Sequence, residues 1–316
     1  MLDPSEIGSC VHRILQRFWP ALLDGQGHPN VRRAAAGDLA ELTASRISEL
    51  FDEETALLAA RVSRRYPALW QGVRSRWIEA LVRGVYRDLR RLLEEEARIG
   101  AVEKTLSAEF ASVNGGSFSL RGRLDRLDIL PDGSLRVVDY KTAGSVNSVK
   151  KMIDLKEALR AERLQIPLYG ELAVRCGDLP GVSGGGDLSA ASEGQGLLRR
   201  RGRVIGQVLP IGPGFDADLL GRWDELVLEW PPGDGSDSLA ESFRHTLQVL
   251  VDMAARGSFP LNDYGPCQIC EYAPACRKSH PPSVERVRTA PSYRPYFLLK
   301  EKTKSKPFPP ATGMGG

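Results

Sequence analysis

The chain has 316 residues, 42% of them hydrophobic and 26% charged, with a formal net charge of +3. That composition excludes a collagenous or largely disordered chain, and the overall charge does not mark a nucleic-acid binder. No apolar run is long enough to span a bilayer, and no basic segment followed by an apolar stretch opens the chain. Five cysteines in this length do not make a disulfide framework. A reducing cytoplasm is the expected setting, and there clustered cysteines more often bind metal.

Residues 3–98 read as helices. Asp3, Pro4 and Glu6 fit an N-cap, a first-turn proline and a capping-box partner. Ile7, Val11, Ile14, Leu15 and Phe18 follow at helical spacing, and further helical patterns cover 33–65 and 68–98. Residues 103–141 switch to a period of two, which predicts a three-stranded meander turned at "NGG" (114–116) and "PDG" (131–133). A helix over 157–175 comes next, then a Gly- and Ser-rich surface insertion within 177–200. "RVIGQVLPIG" and "WDELVLEW" read as two more strands. A helix over 237–256 stops at Gly257. The cysteine segment 267–276 follows, and then a basic, Pro-rich tail over 281–316, disordered beyond about 303. The basic runs Arg199–Arg201 and Lys300–Lys306 read as a solvated face and tail.

The architecture expected is α/β: a mixed central sheet flanked by helices, an N-terminal helical part (1–100), a core (101–280) and a C-terminal cysteine-anchored segment. Within the core, the stretch "RLDRLDILPDGSLRVVDYKT" (123–142) is dense in carboxylates and ends near Lys141. If Pro131-Asp132-Gly133 is a three-residue loop with Gly133 left-handed, Leu130 pairs with Ser134 and Asp125 falls opposite Asp139. Opposed residues have Cβ atoms roughly 5 Å apart. Two carboxylates that close repel unless a cation lies between them, and Mg²⁺ takes one or two protein carboxylates. Lys141 shares the face of Asp139 and is placed to stabilise charge on a phosphate. A one-residue slip would turn Asp125 away. The same pattern also fits a solvent-facing hairpin with salt bridges.

Five motifs in order resemble the PD-(D/E)xK nucleases, specifically the RecB-like branch with a C-terminal iron–sulfur motif. "GRLDRLD" and "VVDYKT" resemble its core. "GSCVH" (Gly8 to His12) resembles its GxxxH helix, "QIPLY" (Gln165 to Tyr169) its QxxxY motif, and "CQICEYAPAC" its CxxC-x5-C segment. The iron–sulfur members include the AddB-type helicase–nuclease subunits and CRISPR-associated nucleases. The resemblance implies a restriction-endonuclease-like core in which Asp125 and Asp139 bind a metal. The Tyr140 carbonyl and His12 would be further ligands, Lys141 the catalytic lysine, and Gln165 and Tyr169 lining residues that touch DNA. Imidazole on the site sits more comfortably with Mn²⁺ than with Mg²⁺. Pro167 places Gln165 and Tyr169 in a first turn or at a kink. Glu109 aligns with an acidic position of the branch, as a supporting residue or a bystander. Arg123 and Arg126 read as alternating away from Lys141, available for phosphate contacts.

By the same resemblance, Cys267, Cys270 and Cys276 supply three ligands to a 4Fe–4S cluster, which needs a fourth. Either that ligand lies on a region this chain lacks, or Cys10 substitutes, or the cluster is incomplete. Cys176 reads as an ordinary buried or loop cysteine. The function implied is a Mg²⁺- or Mn²⁺-dependent deoxyribonuclease, exonuclease ahead of endonuclease, processing DNA ends in recombinational repair. No GxxxxGK[ST] loop is present, so a helicase would be a partner or another region. A non-catalytic DNA-binding module of the same fold, or a CRISPR-associated nuclease, are the alternatives.

Overall fold

A computed structural model of the chain describes residues 4–29, 36–111, 116–142, 146–176, 203–215, 226–230, 237–260, 276 and 280–301. Four helices come first: α1 (Pro4–Leu22), α2 (Ala36–Glu54), α3 (Ala56–Ser63) and α4 (Pro67–Glu94). The apolar stripe of α1 does what its spacing predicts, since Ile7, Val11, Ile14, Leu15 and Phe18 are all buried. Each such side chain contributes roughly 1.5–3 kcal/mol by leaving water. The Asp3 end of the expected capping box lies outside the described residues; the Glu6 carboxylate binds the Arg61 guanidinium of α3. The helix expected to reach residue 98 ends at Glu94. Glu96 turns left-handed (φ 52°) and Ala97 N–H returns to the Leu92 carbonyl, so the chain leaves the helix directly into a strand.

The sheet has five strands in the order β1 (Arg98–Ala111), β2 (Ser117–Ile129), β3 (Leu135–Lys141), β4 (Val204–Pro210) and β5 (Val227–Trp230). β1 to β3 form the expected antiparallel meander, β3 runs parallel to β4, and β5 is antiparallel to β4. The sheet is therefore mixed, as expected. The parallel step is crossed by α5 (Val146–Ile153), α6 (Leu155–Leu159) and α7 (Gln165–Arg175). The single helix expected over 157–175 is thus broken, with Ala161 left-handed (φ 57°) in the turn between α6 and α7. α8 (Asp237–Ala255) follows, and Gly257 stops it at φ 65°. The insertion at 177–200 and the run Arg199–Arg201 lie outside the described residues.

Two apolar clusters sandwich the sheet. One joins Val138, Tyr140 and Val208 to α1, α2 and α4; the other joins Leu127, Val137 and Trp230 to α7 and α8. The start of the C-terminal tail is folded: α9 (Pro281–Thr289), a 3₁₀ turn and α10 (Arg294–Lys300). Lys300, expected on a solvated tail, is buried instead, with its ammonium 3.6 Å from Glu162 and packed near the Tyr296 ring. Its aliphatic stem lies in the interface and only the charged head needs partners.

Candidate active site and metal centre

The 131–133 loop sets the β2–β3 register by the predicted route. Gly133 is left-handed (φ 81°), Leu130 N–H bonds the Ser134 carbonyl, and the ladder runs from Ile129↔Leu135 to Arg126↔Val138. At Asp125 the regular pattern changes. Leu124 and Leu127 lie three apart yet pack in the same apolar cluster, which a strand of period two does not allow. On β1, Val102 packs on the α1 side while Leu106 packs on the α7 side, although they share parity. Both strands turn over between Val102↔Arg126 and Lys104↔Leu124, the paired positions flanking Glu103 and Asp125. Glu103 carries the strain, at φ 51°. Instead of continuing the ladder, Asp125 accepts the Tyr140 N–H on Oδ2 at 2.7 Å.

This turnover brings Glu103 and Asp125 under α1. His12 Nδ1 lies 3.3 Å from Asp125 Oδ1 and 3.9 Å from Glu103 Oε1. Gly8, one turn before His12, lets the helix approach: a Cβ there would sit 3.0 Å from Thr142 Oγ1 at the end of β3. The hydrogen bond to Asp125 raises the His12 pKa, against burial. Burial and the nearby Asp125 raise that of Glu103, while Arg123, 2.6 Å away, opposes them.

Asp139, Lys141, Gln165 and Tyr169 form the other half. Asp139 is 1% exposed, and its Oδ1 accepts from Gln165 Nε2 at 2.6 Å. The Lys141 ammonium stands 2.7 Å from Asp139 Oδ2 and donates to Gln165 Oε1 at 3.2 Å. Gln165 Nε2 also reaches the Tyr169 hydroxyl, which donates to the Arg123 carbonyl at 2.8 Å. Pro167 falls in the first turn of α7, where a missing N–H costs nothing. Burial pushes Asp139 up to about 6, with the Asp125 charge adding to it and Lys141 and His12 opposing. Burial also raises the Tyr169 phenol. A cavity of about 820 Å³ is lined by Gly8, His12, Glu103, Arg123, Tyr140, Lys141 and Thr142 among others.

Several residues sit elsewhere than expected. Arg126 is fully buried on the opposite face, bound to Asp88, Asp128 and the Tyr140 hydroxyl, and cannot reach a phosphate. Arg123 does not point away from Lys141: the strand turnover puts it on the cavity with 60% of its side chain exposed. Glu109 is exposed opposite Ser119, about 20 Å along β1 from Glu103, and is a bystander. Glu103, which the sequence reading passed over, occupies the site. Its signal was pairing with Asp125 across β1–β2, visible only once Ala111↔Ser117 is known to close that hairpin. Tyr140 faces the site through its backbone, while its side chain is anchored beneath by Arg126.

Cys267 and Cys270 lie outside the described residues, and Cys276 is half-buried. Cys10 packs its thiol on the Glu54 carbonyl at 3.4 Å and accepts from Arg13 at 3.1 Å. Burial raises its pKa, which favours the thiol over a thiolate ligand. Cys176 is half-buried beside the second apolar cluster, as an ordinary cysteine.

The family model described as the PD-(D/E)XK nuclease superfamily matches residues 1–277. The chain belongs to that superfamily. No curated protein matches the chain. Nucleases of the superfamily use divalent metals, and this PD-(D/E)XK chain presents donors that suit one. His12, Glu103 and Asp125 each offer a ligand atom, all within 4.8 Å of one another. Asp139 Oδ2 is buried, and the Lys141 ammonium 2.7 Å away is the cation beside it. Carboxylates with one imidazole fit Mn²⁺ well and Mg²⁺ acceptably. No helix among the described residues is long and apolar enough to cross a membrane.

Proposed function

We propose that this chain hydrolyses phosphodiester bonds in DNA, with His12, Glu103, Asp125 and Asp139, and the Tyr140 carbonyl, holding Mg²⁺ or Mn²⁺. The observation that carries the reading is one cavity in which the Lys141 ammonium, fixed by Asp139 and Gln165, adjoins the His12–Glu103–Asp125 group. A divalent cation bound there supplies the positive charge that polarises a phosphodiester and acidifies a water.

The chain's own residues divide the remaining work. Lys141 places a cation beside the carboxylates, where negative charge builds on a transferring phosphate. Gln165 orients it by accepting from the ammonium while donating to Asp139, and Tyr169 fixes the Gln165 amide in turn. Arg123 is exposed over the cavity and is placed to hold a substrate phosphate, positioning rather than reading sequence. A raised Asp139 pKa is relieved once a second positive charge arrives, so metal and lysine act on the same carboxylate.

The order of the five motifs supports a finer reading within this function: exonucleolytic processing of DNA ends in recombinational repair, with a helicase partner in the cytoplasm. Cys267, Cys270 and Cys276 would hold a 4Fe–4S cluster that pins the C-terminal segment. The Cys10 environment favours a fourth ligand from outside this chain over Cys10 itself. The domain division proposed with it is a helical part (1–100), a nuclease core (101–280) and a C-terminal segment (281–316).

The test is cleavage of linear single- and double-stranded DNA in Mn²⁺ or Mg²⁺, with an EDTA control and Asp139→Ala alongside. Metal-dependent cleavage that disappears in the variant supports the reading. A folded wild type that binds Mn²⁺ yet cuts neither substrate contradicts it and leaves a DNA-binding module.

A further inference from the structure

An ion cluster under the sheet takes no part in the chemistry above, yet it touches the elements that carry the site. Arg126 is fully buried; its guanidinium binds Asp88 of α4, Asp128 of β2 and the Tyr140 hydroxyl of β3, the last at 2.6 Å. The same guanidinium lies over the Trp19 ring of α1 at 4.6 Å. Trp19 is two turns along the helix from His12, Arg126 directly follows Asp125, and Tyr140 stands between Asp139 and Lys141. One buried side chain therefore ties together the three elements that present His12, Asp125, and Asp139 with Lys141. Buried ions of this kind are often no more stabilising than apolar residues of the same volume, so stability alone does not account for them.

Tyr140 is the link between the two faces. Its N–H donates to Asp125 Oδ2 at 2.7 Å, at the point where β2 leaves the regular ladder. Its ring goes the other way, and the hydroxyl is pinned by Arg126 and by Asp88 at 3.5 Å. A rotation of β3 about its axis would move the Tyr140 N–H and the Asp139 and Lys141 side chains together. The buried hydroxyl resists that rotation.

We propose that Arg126, acting through the Tyr140 hydroxyl, is a positioning residue that holds Asp125 and β3 in the geometry needed to bind a divalent cation. This inference rests on the metal-site reading of the proposed function. Tyr140→Phe is the clean probe, because it removes only the hydroxyl and leaves Arg126 bound to Asp88 and Asp128. Leu247→Ala is the stability control; it opens a cavity on α8, in the apolar cluster across the sheet from Tyr140.

Mn²⁺ binding to the full chain is titrated by calorimetry for wild type and both variants, with thermal melts of each and cleavage at saturating Mn²⁺. Supporting partners of metal ligands typically carry 10- to 100-fold of the affinity, and Tyr140→Phe is expected to weaken Mn²⁺ binding by about that factor. Its melting temperature should fall less than that of Leu247→Ala, whose Mn²⁺ affinity should match the wild type. High Mn²⁺ should restore much of the lost cleavage. Tyr140→Phe affinity equal to wild type overturns the inference, as does equal weakening in both variants, which would make the effect one of stability. A wild type that binds no Mn²⁺ removes the metal reading itself, and this inference with it.

Discussion

Asp139 is ionised at a place that resists its charge. Burial and the neighbouring Asp125 push its pKa up to about 6, well above the usual carboxylate range. A carboxyl raised in the folded state costs stability that builds as pH rises from the unfolded value to the raised one and is complete above it; below the unfolded value both states are protonated and the penalty is gone. Asp139→Asn should therefore stabilise the metal-free protein at pH 8, by on the order of 1–3 kcal/mol, and much less below about pH 4. Thermal melts of both proteins across that range check it, and an Asn variant less stable at pH 8 would contradict the burial argument. Glu103 holds an uncommon left-handed backbone next to the site. Glu103→Gln keeps its shape and removes its charge, and should weaken Mn²⁺ binding by at least about tenfold in a calorimetric titration. The pair Asp125 and Asp139 was legible because the 131–133 turn sets the β2–β3 register. Glu103 was not, because a strand that turns over breaks the alternation from which faces are read.

At the scale of elements, the close approach of α1 to β3 is the contact that delivers His12. Gly8 permits it, with Thr142 Oγ1 3.0 Å from where a Cβ would be. Gly8→Leu should push the helix outward, and a displacement near 1 Å at a reacting group costs on the order of 10²-fold in rate. Steady-state cleavage should show that loss in kcat, while the helix remains buried along its apolar stripe and circular dichroism stays unchanged. The strands and the long helices were legible from periodicity, as Val11, Ile14 and Phe18 on α1 illustrate. The break between α6 and α7 was not. Ala161 is left-handed, and nothing in its own chemistry asks for that; it closes the end of α6, where Ala161 N–H bonds the Ala158 carbonyl and Glu162 N–H the Glu157 carbonyl, a position usually held by glycine. Arg126 was misplaced for a related reason: an arginine in a strand looks solvent-facing until the buried acids that meet it, Asp88 on α4 and Asp128 on β2, are brought together by the fold.

For the whole molecule, the start of the C-terminal tail is built into the body. α10 carries Lys300 into the interface beside the α6–α7 turn, with its ammonium near the Ala161 carbonyl and Glu162. Deleting residues 281–316 should lower the melting temperature by at least about 3 °C, since even 1 kcal/mol moves a domain of this class by a few degrees. An unchanged melt would show that these helices ride on the surface without supporting it. A basic, proline-rich composition concealed this, because burial of a lysine stem depends on which surface the helix meets.

The central claim is a division of work within the proposed site: His12, Glu103, Asp125 and Asp139 hold a metal, while Lys141 serves the phosphate. The most direct measurement is Lys141→Ala, with Mn²⁺ binding titrated by calorimetry and DNA cleavage followed at saturating Mn²⁺. The prediction is a binding isotherm close to wild type with cleavage lost by at least about 10²-fold. Cleavage at the wild-type rate in a Lys141→Ala protein that still binds Mn²⁺ would contradict it.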